Sequence, residues 1–189
     1  MNFNQFKKQV VSCQKCRLCE TRINVVPGEG NEKAEILFIG EGPGKNEDIQ
    51  GKPFVGASGK FLSQMLEMIS LRKEDVYIAN IVKCRPPGNR DPFPDEVKTC
   101  WPWLEKQIEL IRPKVIVLLG RHSAMRFIPD IHISTDHGQV FRKEISPIGK
   151  VLLYPCYHPA AALYNGSLKG TLIKDFKKIP LVLALAKKK

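Results

Sequence analysis

Four short apolar runs constrain this chain more than anything else in it: AEILFIG (34–40), VYIANIV (76–82), KVIVLLG (114–120) and KVLLYPCYH (150–158). Each is rich in β-branched residues and bounded by turn formers, the pattern of a buried strand. Helical patterns lie between them. SGKFLSQMLEMIS (58–70) sets Phe61, Leu62, Met65, Leu66 and Ile69 on one face with Ser58 as the expected cap. PDEVKTCWPWLEKQIELIR (94–112) opens with Pro and two acids, as a first helical turn prefers. Pro102 is expected to kink or break this second helix just after Cys100. Strands alternating with helices imply an α/β fold with a parallel sheet covered on both faces, and ligands at the carboxyl ends of the strands. The loops leaving those ends are GEGPGKNED, KCRPPGNRDPFPDE, GRHSA and HPAAALYN.

With 189 residues and 43% apolar side chains, the chain supports one well-buried core, so a single domain over 1–189 is expected. The apolar IPLVLALA near the end is far shorter than the roughly 18 residues a membrane span needs, and MNFNQFKKQVV at the start lacks the apolar core of a signal peptide. These features predict a cytoplasmic or nucleoid protein with no membrane partner. The formal net charge of +11 attracts polyanions through counterion release, although a merely soluble basic surface carries the same charge. The terminal LAKKK is either a contact for DNA or a partner, or a disordered tail.

The loop FIGEGPGKNED (38–48) has the look of a phosphate cradle and fails as one. Three residues separate Gly40 from Gly44 where a Walker loop has four, and Asn46 follows Lys45 where Ser or Thr belongs. Glycines at 40, 42 and 44 do not make the dinucleotide fingerprint, and Pro43 removes an amide. Glu41, Glu47 and Asp48 would repel a pyrophosphate. Small residues here admit a planar, less negative ligand, while the acids order water or accept hydrogen bonds.

Of six cysteines, Cys13 and Cys16 form a C-x-x-C pair, Cys19 repeats the interval, and Cys84, Cys100 and Cys156 are scattered. In a chain without an export signal this favours metal ligation or redox chemistry over disulfides. A ferredoxin-type run needs a further Cys where Ile23 stands, so four ligands cannot be sequential. Cys84, at a strand end, and Cys100, on the helix beyond the proline-rich loop, are positioned to join the N-terminal pair. Thiolates alone suit zinc or an iron–sulfur cluster.

Taken together, GEGPGKNED, GKPFVGASG, NIVKCRPPGNRDPFPDE and HPAAALYN resemble the thermostable family 4 uracil-DNA glycosylases, over about Cys13 to Asn165. The resemblance implies a three-layer α/β/α sandwich with a central four-stranded parallel sheet, a 4Fe-4S cluster on Cys13, Cys16, Cys84 and Cys100, and hydrolysis of the bond joining uracil to deoxyribose. A monomer acting on uracil-containing DNA, single- or double-stranded, is implied, with replication or repair proteins as further partners. Phe54 resembles the family's stacking ring, and Asn80 offers a donor and an acceptor to uracil N3 and O4, a pattern cytosine reverses. Glu47 resembles the residue at the C5 edge that excludes thymine, and His158 the donor to O2, where negative charge collects as the bond breaks. His122, His132 and His137 lack a comparable setting. DNA contacts are expected from Ser58, Arg85 and Leu163, with Arg90 and Lys169 as further phosphate partners.

Two departures stand out. Other branches of the superfamily orient the attacking water with an Asp where this chain has Gly42, which leaves Glu41, Glu47 or backbone carbonyls for that task. The bulky wedge expected about four residues after the His falls on Ala162, so Leu163 is the expected filler of the gap left by a flipped base. A non-catalytic nucleic-acid-binding module with a structural four-cysteine metal site, or an iron–sulfur electron carrier, would carry some of the same features.

Overall fold

The computed structural model describes residues 1–188. A six-stranded sheet is built from β1 (Glu29–Gly30), β2 (Ile36–Gly40), β3 (Tyr77–Asn80), β4 (Val115–Leu119), β5 (Phe141–Ile145) and β6 (Gly149–Cys156) in the order β1-β3-β2-β4-β6-β5. The four runs foreseen as strands are β2, β3, β4 and β6, and they pair parallel throughout, with Phe38 opposite Ile78 and Val117, and Val117 opposite Tyr154. The expected all-parallel four-stranded sheet therefore needs correction: the sheet is mixed, because β1 and β5 add antiparallel at its two edges.

Both additions escape a search for apolar runs for physical reasons. β1 is two residues long, and Gly30 lies so close to the neighbouring strand that a Cβ there would fall 2.0 Å from the Val76 carbonyl oxygen. β5 reads FRKEI with its charges exposed, the composition that guards a sheet edge.

β2 and β4 are buried at every position, as strands covered on both faces must be. Leu37, Ile39, Tyr77, Ile116 and Leu118 point to one face, under α1 (Phe3–Val11), α4 (Pro94–Ile111) and α5 (Arg121–Phe127). Ile36, Phe38, Ile78, Val117 and Tyr154 point to the other, under α3 (Ala57–Glu67), α7 (Pro159–Tyr164) and α8 (Ser167–Lys187). Two short helices, α2 (Lys45–Gln50) and α6 (Ile133–Asp136), sit in connecting loops.

Local details depart from expectation in instructive ways. The cap of α3 is Gly56, and Ser58 lies within the first turn. α4 runs through Pro102 as one helix, since Pro102 and Lys98, whose carbonyl loses its partner, are both exposed to water. Helix α8 extends to Lys187, which pairs with Glu35, so most of the basic tail is ordered. Among the described residues no helix is long and apolar enough to cross a membrane.

Candidate active site

The carboxyl ends of the parallel strands open into a cleft of about 350 Å³, whose walls include Glu41, Gly42, Glu47, Phe54, Ser58, Asn80, His158 and Tyr164. Glycine makes the floor possible. At Gly40, the last residue of β2, a Cβ would lie 2.4 Å from Asn80 Oδ1 and 3.0 Å from Phe54 Cζ. The Asn80 side chain and the Phe54 ring thus converge over a position where no other residue fits.

Asn80 is 3% exposed, and among the described residues no protein group hydrogen-bonds to its side-chain amide. Its donor and acceptor remain available to a ligand. Both face the cleft that Asn80 lines, where a ligand can meet them. Phe54 is buried beside it, its ring stacked on that of His158 with centroids 5.6 Å apart and planes 28° from parallel.

His158 caps α7, its Nδ1 accepting from the Ala160 N–H at 3.1 Å. That bond assigns the proton to Nε2, leaving Nε2–H as a donor toward the cleft. Burial pushes the imidazole pKa down to about 4, with Glu47 opposing, so the ring is neutral at physiological pH.

The two glutamates of the loop differ in kind. Glu47 Oε1 accepts from the Val55 and Gly56 amides, at 2.9 Å each, and so secures the loop that bears Phe54. Glu41 Oε1 is buried with no hydrogen-bond partner. Desolvation, reinforced by Asp91 and opposed by Arg121 and Arg126, raises the Glu41 pKa to about 7. His122, set aside in the sequence for want of a setting, lies beside this group, its Nε2 3.1 Å from Asp91 Oδ2 and its Nδ1 3.9 Å from Glu41 Oε1.

The rim shows which surface groups are free. Ala162 is 3% exposed and too buried to enter DNA, whereas Leu163 is 48% exposed and Tyr164 is 93% exposed. Sequence reasoning passed over Tyr164, though a lone large aromatic among small residues in HPAAALYN was a signal. Arg85 bonds Asn89 Oδ1 through Nε at 2.7 Å on the proline-rich loop. Arg90 is less free than expected, because both arms of its fork hold the buried Glu96 at 2.7 and 2.8 Å. Lys169 lies over the Phe61 ring at 5.5 Å.

Away from the cleft, Cys13, Cys16, Cys19, Cys84 and Cys100 line one small pocket, while Cys156 is buried in the opposite core. Three N–H groups aim at three of these sulfurs: Arg22 at Cys84 (3.1 Å), Lys83 N at Cys100 (3.3 Å) and Trp103 Nε1 at Cys13 (3.3 Å). Burial raises the thiol pKa of Cys84, and that of Cys100 to about 11, so bare thiolates would be unfavourable there without a cation.

The family model described as uracil DNA glycosylase superfamily matches residues 27–179. The chain belongs to the uracil-DNA glycosylase superfamily. It is 52% identical over 179 residues to a type-4 uracil-DNA glycosylase of Archaeoglobus fulgidus, covering 91% of this chain and 88% of that protein. With a type-4 uracil-DNA glycosylase of Sulfurisphaera tokodaii it shares 48% over 189 residues, 94% of this chain and 83% of the other. A type-5 uracil-DNA glycosylase of Pyrobaculum aerophilum is 28% identical over 197 aligned positions, 86% and 84% of the two chains. The resemblance carried by the four motifs is thereby borne out. In this superfamily member, Gly40→Ala should force Asn80 and Phe54 apart and cut uracil excision by on the order of 100-fold, since small misplacements of reacting groups cost that much. Circular dichroism with the excision assay distinguishes this from unfolding.

Proposed function

We propose that this protein hydrolyses the N-glycosidic bond of uracil in DNA to leave an abasic site, the opening step of base-excision repair of deaminated cytosine. The observation that carries this reading is Asn80: an amide with an unused donor and acceptor, in the same cleft as an aromatic ring stacked on a neutral imidazole donor. Asn80 Oδ1 accepts from uracil N3–H while Nδ2 donates to O4, and cytosine offers the reverse pattern. Phe54 stacks on the extruded base, whose unpairing must be repaid by such contacts. Glu47, fixed by two amides, stands by the C5 edge against thymine's methyl.

As the bond breaks, charge collects on O2, and the His158 Nε2–H meets it. A neutral donor in a water-poor site suits this task, and losing one such contact costs about 100- to 1,000-fold in rate. The attacking water falls to Glu41. Glu47 has one oxygen committed to the loop, and Gly42 offers no side chain, whereas Glu41 has a buried oxygen without a protein partner. Ser58 and Arg85 contact the DNA strand, and Leu163, with Tyr164 beside it, fills the gap left by the flipped nucleotide.

The test is alkali-revealed cleavage of end-labelled DNA with one uracil, beside cytosine and thymine controls. Cleavage at uracil alone is expected, and His158→Ala should lower the single-turnover rate at least about 100-fold with little change in DNA affinity. No cleavage by folded protein would favour the binding-module reading.

pH provides a second test. Glu41 acts as the carboxylate, so its raised pKa makes the rate rise with pH up to about 7 and level off above it. His158, already neutral well below that, contributes no inflection there. Glu41→Gln should remove the inflection along with most of the rate.

The thiol pocket fits an iron–sulfur cluster. Thiolates alone suit zinc or an iron–sulfur cluster, and the N–H donors directed at the sulfurs of Cys13, Cys84 and Cys100 support a 4Fe-4S cluster on Cys13, Cys16, Cys84 and Cys100. The cluster would supply a rigid cross-link and a redox-capable centre outside the hydrolytic cleft. Alanine at any of these four should abolish visible absorbance and bound iron, whereas Cys156→Ala should keep both; Cys19 lines the same pocket and is read as the spare thiol. The whole length is read as one domain, monomeric, acting on chromosomal DNA in the cytoplasm or nucleoid, where it meets replication or repair proteins.

A further inference from the structure

Phe54 holds a backbone φ of 51°, a conformation that residues other than glycine seldom adopt and that persists only where surroundings enforce it. The enforcement is charged. Lys73 Nζ donates to the Phe54 carbonyl oxygen at 2.7 Å, and Glu47 Oε1 accepts from the Val55 N–H at 2.9 Å. These two atoms are the opposite ends of one peptide unit, so a cation grips its oxygen while an anion grips its nitrogen. α3 closes the remaining side, since a Cβ at Gly59 would lie 1.8 Å from the same carbonyl oxygen.

Lys73 reaches this peptide from behind. It belongs to the turn Lys73–Asp75 that precedes β3, and with Glu29, Lys52 and Pro53 it lines a separate depression rather than the uracil cleft. It is half-buried, and desolvation pulls its pKa below the ordinary lysine value against the opposing pull of Glu29, Glu47 and Glu74. A flexible ammonium that gives up water to hold one distant carbonyl is poorly explained as solvated surface charge.

We propose that Lys73 is a positioning residue for uracil excision: by fixing the Phe54–Val55 peptide plane it sets the pose of the ring against which uracil stacks. This rests on the reading of Phe54 given above. Rotation of that plane would shift the ring relative to Asn80 and His158, spoiling the stack before any group that touches the base is altered.

The experiment compares Lys73→Met, Lys73→Gln, Lys73→Arg, Phe54→Ala and the Lys73→Met/Phe54→Ala double variant. Each is measured for single-turnover excision, product inhibition by free uracil, affinity for uracil-free DNA and melting temperature. Lys73→Met and Lys73→Gln should slow excision about tenfold and weaken inhibition by uracil in parallel, with DNA affinity unchanged. Lys73→Arg should restore most of the rate, and Lys73→Met should add nothing to Phe54→Ala. Unaltered excision and uracil inhibition in both neutral variants would overturn the proposal while leaving the stacking role of Phe54 intact. So would a loss that adds in full to that of Phe54→Ala, or one that follows melting temperature alone. Wild-type excision by Phe54→Ala would remove the stacking role itself, and this proposal with it.

Discussion

The parallel core is dry on both faces, and that constraint governs where chemistry is possible. Inside the sheet each strand residue meets apolar side chains above and below, so a polar group there would be costly to bury. Only at the carboxyl ends, where β2, β3, β4 and β6 give way to loops, is an asparagine held firmly while its amide stays open to a ligand. The residues that converge there come from distant parts of the chain, and two glycines set their spacing. Gly40 lets Asn80 and Phe54 meet, and Gly120, at φ +88° with a Cβ position 3.1 Å from His158 Cβ, lets the last loop close over the end of β4.

The electrostatics of this end oppose those of the surface. A chain with net charge +11 draws in polyanionic DNA, yet the cleft wall it presents carries Glu41, Glu47 and Asp91. The contrast has a use. A phosphate is repelled from the cleft floor, while an uncharged base is admitted. His158 is kept neutral by the same burial that lifts Glu41, so one desolvated environment produces both a donor without charge and an acid poised to ionise near neutrality.

Much of this was legible in the sequence, and the failures have identifiable causes. The four central strands declare themselves because two-sided burial makes the entire run apolar, whereas β1 and β5 are set by edge pairing that leaves no hydrophobic trace. Ser58 looked like a cap because Ser commonly is one, but Glu47 already engages the amides of Val55 and Gly56 at that end of α3. Arg90 looked free because its partner, Glu96, lies in the first turn of α4, a pairing that depends on how the proline-rich loop folds back. Cys13, Cys16, Cys84 and Cys100 do meet, though Cys19 comes with them, since spacing alone cannot say which way a short turn faces. Lys83 and Lys73 read as two more basic residues in a basic protein, because what sets them apart is the loss of water, which is a property of the fold.

Lys83 explains why the thiol pocket and the cleft are not independent. Its side chain is 1% exposed, with Nζ donating to the Asn80 carbonyl at 2.7 Å and to Gln107 Oε1 on α4, while its own amide points at Cys100 Sγ. Burial pulls its pKa down to about 8, a shift that negative charge on the sulfurs of Cys100 and Cys84 opposes. A buried ammonium of this kind is tolerated only while all its partners stay in place, because an unpaired charge in such surroundings is strongly destabilising. Only three residues separate Asn80 from Cys84, and Gln107 ties the same ammonium to the helix that bears Cys100. Lys83 therefore ties the backbone of Asn80, in the cleft, to the helix that bears Cys100, beside the thiol pocket. One buried lysine thus links the thiol pocket to the floor of the cleft through hydrogen bonds at both ends.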